Sequence, residues 1–310
     1  MAFLCIDIGG TLIKYGLLSE SGKLLSRDTV ETPKNLNDFK LLLRSFVDSY
    51  RQRINGIALC APAMVIYDEK AFYNCEGLPF INGISMEEIF GPANKDLPIT
   101  VENEGMAATT AELWNGSLKG IDSGILLTLG SSVTGGFVVN GELVRGAHHQ
   151  AGLFSLIRDE LNVRGTQGLV RSNCSAVNMI RAINRVAENE NELDGIAAFE
   201  KIKSGDKNAR DIFAQFCKNI AQLLFNMQLT MDVQRFVIGG GISNEEIVLK
   251  TVKQKYTEII SEFPQAQQVL IYPELVKSEY SNGTVLYGAF YSYMQQMNGE
   301  INQETKKEPE

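Results

Sequence analysis

The sequence has little positive charge, no long apolar run and no paired cysteine motif. Lys and Arg total 29 against 37 for Asp and Glu, and the formal net charge is −8. Because a field of this sign repels nucleic acid and anionic membrane surfaces, we expect no nucleic-acid partner and no membrane partner. No apolar run approaches the roughly 20 residues that span a bilayer. The N-terminus opens with a strand pattern, so we expect no secretory signal.

The five cysteines are scattered through the sequence without C-x-x-C spacing: Cys5, Cys60, Cys75, Cys174 and Cys217. An odd, unspaced set indicates reduced thiols rather than a disulfide framework. The chain has 310 residues, of which 44% are hydrophobic and 21% charged. This length allows two domains, each with its own core. We therefore expect a two-domain protein of the cytoplasm.

The most informative feature that is present is a glycine loop between two strands, which occurs twice. Residues 5–14 read CIDIGGTLIK, and residues 125–138 read ILLTLGSSVTGGFV. In both copies the second strand ends at a small turn and a further strand follows. Such hairpins point backbone N–H groups into the loop, where they can hold phosphate oxygens. The repetition predicts two similar half-molecules that close on one nucleotide.

Hydrophobic periodicity predicts sheets with helices on their faces. The first half reads as strands over 3–8, 13–18, 23–29, 54–60 and 99–101 with helices over 36–51 and 106–114. The second half reads as a strand meander over 124–144, a long amphipathic helix over 209–231, a strand over 235–238 and a last helix over 283–295. The pattern breaks near 114–123, where we expect a hinge.

The first glycine loop offers a candidate phosphate and magnesium site. Asp7 ends the first strand, and Gly9, Gly10 and Thr11 follow it. Mg²⁺ usually keeps several waters and takes one or two protein carboxylates, so Asp7 alone can hold it through water. Lys14 either adds positive charge there or is a solvated strand residue. The alternative for this motif taken alone is an ordinary tight turn.

A third glycine run, Gly239, Gly240 and Gly241, follows a predicted strand. Ser243 and Glu246 have the spacing of a capping box that opens the next helix. The glycines would then lie between a strand end and a helix N-terminus, an arrangement that favours an anionic or adenine-bearing ligand.

Four motifs follow one another along the chain: DIGGT…K at 7–14, VEN at 101–103, LG…GG at 129–136 and IGGG at 238–241. Together they resemble the ROK sugar kinases, within the actin/hexokinase/Hsp70-like ATPase superfamily, over about residues 3–295. The segment GLPFING at 77–83 is similar to the sugar-side loop of β-glucoside-kinase-like members. The resemblance implies ATP-dependent phosphorylation of a hexose or hexoside hydroxyl, commonly at C6, with Mg²⁺.

The resemblance also implies an α/β fold of two duplicated ribonuclease-H-like domains with an interdomain cleft. The N-terminal sugar kinase domain would comprise 1–117 and the C-terminal helix 283–297, and the nucleotide-binding domain would comprise 118–282. From residue 298 to 310 the chain is polar, charged and without aromatics, so we expect a disordered tail. Relatives commonly form dimers, so the resemblance implies a homodimer. ATP would bind the loop at 7–11, the adenosine would lie against 239–241, and the second loop would contribute Gly130, Ser131, Ser132, Gly135 and Gly136.

The candidate catalytic residues depart from the family pattern. In the family an Asn-Asp pair follows the Val-Glu strand, where asparagine holds sugar hydroxyls and aspartate accepts a proton. Here Asn103 is followed by Glu104, whose carboxylate lies one methylene further out. Because about 1 Å of misplacement can cost on the order of 10²-fold, this change matters for catalysis. The alternatives are that Asn103 only caps a helix and that Glu102 is a surface charge at a strand end.

Other departures affect the sugar site more than the ATP site. Leu153 stands where the family has a sugar-binding glutamate, and Leu156 where many members have a histidine. In the second loop, Ser131, Ser132 and Thr134 replace a threonine and two glycines. The Cβ atoms of these residues reduce the range of backbone conformations that the loop can adopt.

No zinc site is expected, because the cysteine-rich motif of many relatives is absent and RGTQGL at 164–169 is similar to the zinc-free branch. His148 and His149 lack ligands at metal-binding spacing. Either histidine can replace a lost sugar contact, or both lie in an exposed loop. Two functions stay open: a sugar kinase with Glu104 as base, and a catalytically impaired homologue that acts as a sugar or nucleotide sensor.

Overall fold

The computed structural model describes residues 1–75, 77–280 and 284–304. The chain forms two compact units. The first comprises Met1–Asn115, Arg145–Gln150 and the C-terminal helix, and the second comprises Gly116–Val144 and residues 151–280. Within these described residues, no helix has the length and apolar character needed to cross a membrane.

The first unit is built on a five-stranded sheet. Its elements are β1 (Ala2–Ile8), β2 (Leu12–Ser19), β3 (Leu24–Glu31), α1 (Leu36–Tyr50), β4 (Ile54–Ala61), a small hairpin of β5 (Met64–Ile66) and β6 (Ala71–Tyr73), α2 (Met86–Phe90), β7 (Ile99–Asn103) and α3 (Glu104–Asn115). The sheet order is β3-β2-β1-β4-β7. The first three strands form the antiparallel meander, and β4 and β7 run parallel to β1.

Local sequence explains why these elements form. Every residue of β1 is buried, as expected of a central strand with neighbours on both sides. The side chain of Asn35 accepts the N–H of Asp38 at 3.0 Å and so caps α1. That helix buries Phe39, Leu43, Phe46 and Val47 on one face.

The second unit repeats the same sheet. Its elements are β8 (Gly124–Leu129), β9 (Val133–Val139), β10 (Glu142–Val144), α4 (Val170–Asn173), α5 (Ala176–Val186), α6 (Gly195–Ser204), α7 (Lys207–Met231), β11 (Arg235–Gly239), α8 (Glu246–Ser261), α9 (Pro264–Gln267) and β12 (Glu274–Lys277). The order β10-β9-β8-β11-β12 matches that of the first unit, with an antiparallel meander followed by parallel strands. The duplication predicted from the two glycine hairpins is confirmed.

The long helix α7 organises the core of the second unit. Asp206 caps it by accepting the N–H of Ala209 at 2.8 Å. Its apolar stripe is buried, as predicted, and includes Phe213, Phe216, Ile220, Leu223, Leu224 and Met227. This stripe belongs to one cluster with residues of β8, β11 and α8.

The last helix, α10 (Thr284–Glu304), belongs to the first unit and packs on α3. A Cβ at Gly288 would lie 1.9 Å from the carbonyl oxygen of Ala107, so glycine permits the close approach of the two helices. The helix continues to Glu304 and so includes residues 298–304 of the predicted tail. The expected disorder of that tail stays a prediction. The rest of the predicted tail, 305–310, lies outside the described residues.

Candidate active site

The first glycine loop lies at the edge of the sheet where the parallel strands β1, β4 and β7 all end. Asp7 is 6% exposed, and its Oδ2 lies 3.4 Å from the Nζ of Lys14. Gly9 N–H donates to Leu12 O at 3.1 Å, which closes the turn, and the Thr32 hydroxyl donates to Gly9 O at 2.7 Å. A Cβ at Gly9 would lie 2.6 Å from Leu12 O. The loop is therefore a fixed turn that excludes a side chain at this position.

The tip of this loop is accessible, because Gly10 is half-buried and Thr11 is exposed. A Cβ at Gly77 would lie 3.4 Å from the Cα of Gly10. The segment 77–83, which the sequence predicts as the sugar-side loop, thus begins beside the predicted phosphate loop within the same unit. These two predictions are spatially consistent with each other.

Asn103 caps helix α3 at the end of β7. Its Oδ1 accepts the N–H groups of Gly105 at 2.9 Å and Met106 at 3.2 Å. Its Nδ2 donates to Ala63 O at 2.8 Å, and the second hydrogen on that nitrogen has no partner among the described residues. Asn103 therefore does cap the helix, as the alternative interpretation predicts. Its side-chain amide also keeps one N–H that can donate to a ligand.

Glu104 is the first residue of α3 and is half-buried. Burial and the negative charge of Asp7 raise the pKa of Glu104 to about 7, and Lys14 opposes this shift. Burial likewise raises the pKa of Asp7, while Lys14 and Arg27 act in the other direction. The two carboxylates are near enough to influence each other. A carboxylate that titrates near neutral pH is suited to general-base catalysis.

Glu102 is not a surface charge, so that alternative is wrong. Its side chain is 1% exposed and forms an ion pair with Arg145, whose side chain is 22% exposed. Its Oε1 accepts the Tyr67 hydroxyl at 2.5 Å and the N–H of Asn103 at 2.9 Å. Arg145 also donates to the Tyr67 hydroxyl at 2.7 Å. The carboxylate can be buried because charged and polar partners surround it.

Sequence reasoning missed Tyr67 and Arg145 as members of this site. Burial and the Glu102 charge raise the pKa of Tyr67 far above its usual range, so the hydroxyl stays protonated and donates. The Arg145 guanidinium lies 5.3 Å from the centre of the Tyr67 ring, a cation–π distance. The signal in the sequence was the single basic residue directly after β10, but no local pattern pairs it with Glu102.

The two histidines lie in the same segment as Arg145 and are exposed. The ring centroids of His149 and Tyr67 are 4.6 Å apart. Among the described residues, no group of three or more His, Cys, Asp or Glu side chains is placed to hold a metal ion. The structure thus associates His149 with an aromatic neighbour on the first unit.

In the second unit, the loop between β8 and β9 comprises residues 130–132. Gly130 N–H donates to Ser132 O at 3.0 Å, and Gly130 O accepts the N–H of Ala176 at 2.9 Å, which fixes the loop to the start of α5. Ser131 is exposed. Ser132 Oγ is buried and has no hydrogen-bond partner among the described residues. This hydroxyl remains able to donate to a ligand or a water.

Gly135 and Gly136 lie inside strand β9 rather than in the loop, and both are buried. Gly135 has a φ of +156°, and a Cβ there would lie 1.8 Å from Leu126 O. A Cβ at Gly152 would lie 2.6 Å from Gly135 O. Close packing of the backbone therefore accounts for glycine at 135.

The third glycine run lies against the end of β8. Gly239 ends β11, and Gly240 has a φ of +92°, with a built Cβ only 2.2 Å from Leu129 O. Gly241 is exposed, with no atom within 4 Å of a Cβ built there. The second and third glycine motifs of the sequence are thus neighbours within the second unit.

The predicted capping box after this run does not form. A 3₁₀ helix, Gly241–Asn244, comes first, and Glu245 precedes α8 without a side-chain capping bond. Ser243 is buried, and its hydroxyl donates to Gly240 O at 2.7 Å. The serine therefore stabilises the glycine turn instead of the helix.

A comparison with protein families confirms the resemblance seen in the sequence. The ROK family model matches residues 3–296. The chain belongs to the ROK family. Its similarity to curated ROK relatives extends over nearly the full length of both sequences in several cases. A β-glucoside kinase of Listeria monocytogenes is 24% identical over 302 residues, covering 96% of this chain and 99% of the relative. A glucokinase of Halalkalibacterium halodurans is 27% identical over 288 residues, covering 82% and 84%.

Solved ROK structures have the same two-domain α/β fold. A ROK family protein of Streptococcus pneumoniae, determined in complex with sucrose, matches with a TM-score of 0.83 and 24% identity over 96% of this chain and 100% of that one. A ROK glucokinase of Streptomyces griseus, in complex with glucose and AMPPNP, matches with a TM-score of 0.78 and 23% identity over 95% and 100%. At these identities the match establishes the actin/hexokinase-like fold, as predicted.

The two leucines that depart from the ROK pattern lie at a 3₁₀ helix, Phe154–Leu156, in the second unit: Leu153 precedes the helix and Leu156 is its last residue. Leu153 is half-buried, and Leu156 is 53% exposed. Neither side chain offers a hydrogen bond to a sugar hydroxyl. In this ROK chain the polar contacts to a sugar must therefore come from other residues.

Proposed function

We propose that this ROK protein transfers the γ-phosphoryl group of ATP to a hydroxyl of a hexose or hexoside, at C6. The observation that carries the proposal is that Asp7 and Glu104 lie at the same sheet edge, where burial and the charge of Asp7 raise the pKa of Glu104 to about 7. The names of the relatives point the same way. They include β-glucoside kinases, a glucokinase and an N-acetylmannosamine kinase of Haemophilus influenzae.

The glycine loops fit the phosphates of a nucleotide. In the first unit, we propose that Gly9, Gly10 and Thr11 approach phosphate oxygens, with Lys14 adding positive charge. This assignment is supported by the exposure of Thr11 at the tip of the turn and by the tight packing at Gly9, where a Cβ would lie 2.6 Å from Leu12 O. In the second unit, we propose that 130–132 binds phosphate and 239–241 binds adenosine. The unpartnered hydroxyl of Ser132 and the open face of Gly241 fit this assignment.

The residues also fit a magnesium ion. Asp7 is a buried carboxylate at the phosphate loop, and one carboxylate is enough for Mg²⁺ that keeps its waters. When bound, the ion would neutralise charge on the transferring phosphoryl group.

In the proposed reaction Glu104 acts as general base. Its ionised carboxylate accepts the proton of the sugar hydroxyl as that oxygen attacks the γ-phosphorus, and the bond from this phosphorus to the β-phosphate oxygen breaks. ADP leaves with the bonding electron pair, and the proton stays on Glu104 until it passes to solvent. Asn103 Nδ2 retains one N–H to hold a sugar hydroxyl. Positioning and electrostatic stabilisation together account for most of the catalysis in such transfers.

A second function, sensing of a sugar or nucleotide without catalysis, is favoured by a different observation. Glu104 replaces the aspartate of the family, and Leu153 and Leu156 offer no polar atom. A site built to hydrogen-bond a sugar loses discrimination when its polar groups become apolar.

The cytoplasmic location and the homodimer stay predictions.

The test is a coupled ADP-release assay with Mg-ATP against hexoses, amino sugars and β-glucosides. Glu104→Gln removes the base, and Glu31→Gln is the matched control because Glu31 is an exposed residue of β3 in the same unit. We expect sugar-dependent release that disappears in Glu104→Gln and persists in Glu31→Gln. Absence of release with every sugar, together with calorimetric binding of ATP or a sugar, would instead support the sensor.

A further inference from the structure

The buried carboxylate of Glu102 is the centre of a closed polar network. Its three partners are Arg145, the Tyr67 hydroxyl and the N–H of Asn103. Arg145 and Tyr67 also bond to each other at 2.7 Å. Every contact joins residues of the first unit, although Arg145 comes from the short segment Arg145–Gln150 that enters this unit from the middle of the sequence.

This network ends at the backbone that carries the candidate base. Glu102 accepts the N–H of Asn103, and Asn103 in turn caps α3 through Gly105 and Met106. Glu104 lies between these two anchors as the first residue of α3. A displacement of Glu102 is therefore transmitted to Glu104 through the peptide of Asn103.

Stability alone does not explain the choice of a buried ion pair. Taking two charges out of water is unfavourable, and apolar residues of similar volume often give equal or greater stability. A fully satisfied polar network, in contrast, specifies one geometry. Fixed geometry is what a catalytic base needs, because about 1 Å of misplacement can cost on the order of 10²-fold in rate.

We propose that Arg145 and Tyr67 are positioning residues, which act through Glu102 to hold Asn103 and the Glu104 carboxylate in place for proton transfer. The catalytic meaning of this inference rests on the proposed kinase function. Its structural meaning does not: the network fixes the end of β7 and the first turn of α3 whether or not phosphoryl transfer occurs.

The test compares Arg145→Met, Arg145→Lys and Tyr67→Phe with the wild type, measuring kcat and the KM values for ATP and sugar. Arg51→Met is the matched control, because Arg51 forms an ion pair with Asp96 at the surface of the same unit. We expect Arg145→Met to lower kcat by about 10²-fold without changing the KM for ATP. Arg145→Lys keeps the charge with a different geometry and should recover part of kcat. Arg51→Met should leave all three constants unchanged.

A second measurement reports the geometry without activity. Amide hydrogen exchange at Asn103, Gly105 and Met106 should become about tenfold faster in Arg145→Met, as expected when a charge-assisted hydrogen bond is lost. Exchange in β1 should not change. If Arg145→Met does not fold, the double variant Glu102→Gln/Arg145→Met replaces it, because this variant has no unpaired buried charge. We expect the same lower kcat and the same faster amide exchange in the double variant.

The outcomes separate this inference from the proposed function. An unchanged kcat in a folded Arg145→Met variant overturns the positioning role, and so does unchanged exchange at the three amides. If the wild type releases no ADP with any sugar, the kinase proposal fails, while the exchange experiment still decides whether the network holds this strand end. Lowered kcat with faster local exchange supports both.

Discussion

Replacing Glu104 by glutamine is expected to stabilise the first unit at alkaline pH and to leave its stability unchanged at acid pH. In the folded protein, burial and then the charge of Asp7 raise the pKa of Glu104 from 4.5 to about 7, against the opposing effect of Lys14. The unfolded chain has no such environment. A pKa shift of one unit corresponds to about 1.4 kcal/mol. The folded environment therefore disfavours the ionised form of Glu104 by roughly 3 kcal/mol.

The direction of the effect follows from proton binding. Between pH 4.5 and about 7 the folded state keeps a proton that the unfolded state has released, so the free energy of unfolding falls as the pH rises. Above this range the free energy of unfolding of the wild type is lower than at acid pH by the full amount of roughly 3 kcal/mol. Below it both states are protonated and nothing is lost. The amide that replaces the carboxyl group carries no charge at any of these pH values, so the stability advantage of the variant grows with pH.

The single tryptophan makes this measurement specific to the first unit. Trp114 lies on α3, the helix that Glu104 begins, and stacks on Tyr291 with ring centroids 3.5 Å apart. Urea unfolding followed by its fluorescence at about pH 4 and pH 8 gives the two free energies of unfolding. Glu31→Gln serves as the control. An equal advantage of Glu104→Gln at both pH values would refute the reasoning.

Three further outcomes are expected. The acid limb of the pH profile of kcat/KM should lie near pH 7, because Glu104 accepts a proton only when ionised; a limb at 4.5 would contradict the assignment. Gly240→Ala should lower the thermal stability of the second unit more than Gly141→Ala, since both glycines have positive φ but only Gly240 approaches a carbonyl, and equal losses would exclude the clash. Gly288→Ala should force α10 away from α3 and lower the free energy of unfolding by about 1–3 kcal/mol. Urea unfolding followed by Trp114 fluorescence measures this loss, and an unchanged free energy of unfolding would mean that the two helices move apart without cost.

The elements with strong periodic patterns were predictable from the sequence. The apolar run of β1, the stripe of α7 and the repeated meander all lie close to the predicted positions. Each depends on burial of a face that the sequence itself marks. Short elements such as the β5–β6 hairpin and strand β12 were missed, because a few residues carry too little periodicity.

The candidate site was only partly predictable for a different reason. The glycine loops could be located, since glycine is required where the backbone approaches itself, as at Gly240 against Leu129. The environment of Glu102 could not, because its partner Arg145 is distant in sequence and meets it only through the tertiary fold. The capping box at Ser243 failed because a 3₁₀ helix, Gly241–Asn244, intervenes and Glu245, not Ser243, precedes α8. An intervening turn of this kind is not visible in the spacing of two residues.

The route of the chain through the first unit has a consequence for producing its parts. The chain leaves this unit after Asn115, returns for Arg145–Gln150, leaves again, and returns as the C-terminal helix. A fragment ending near residue 117 would leave the Glu102 carboxylate without its arginine, and α3 without the helix that approaches it at Gly288. Expression of the first half alone should therefore give an insoluble or partly folded product. Co-expression with a peptide covering the last helix would restore the packing but not the missing cation.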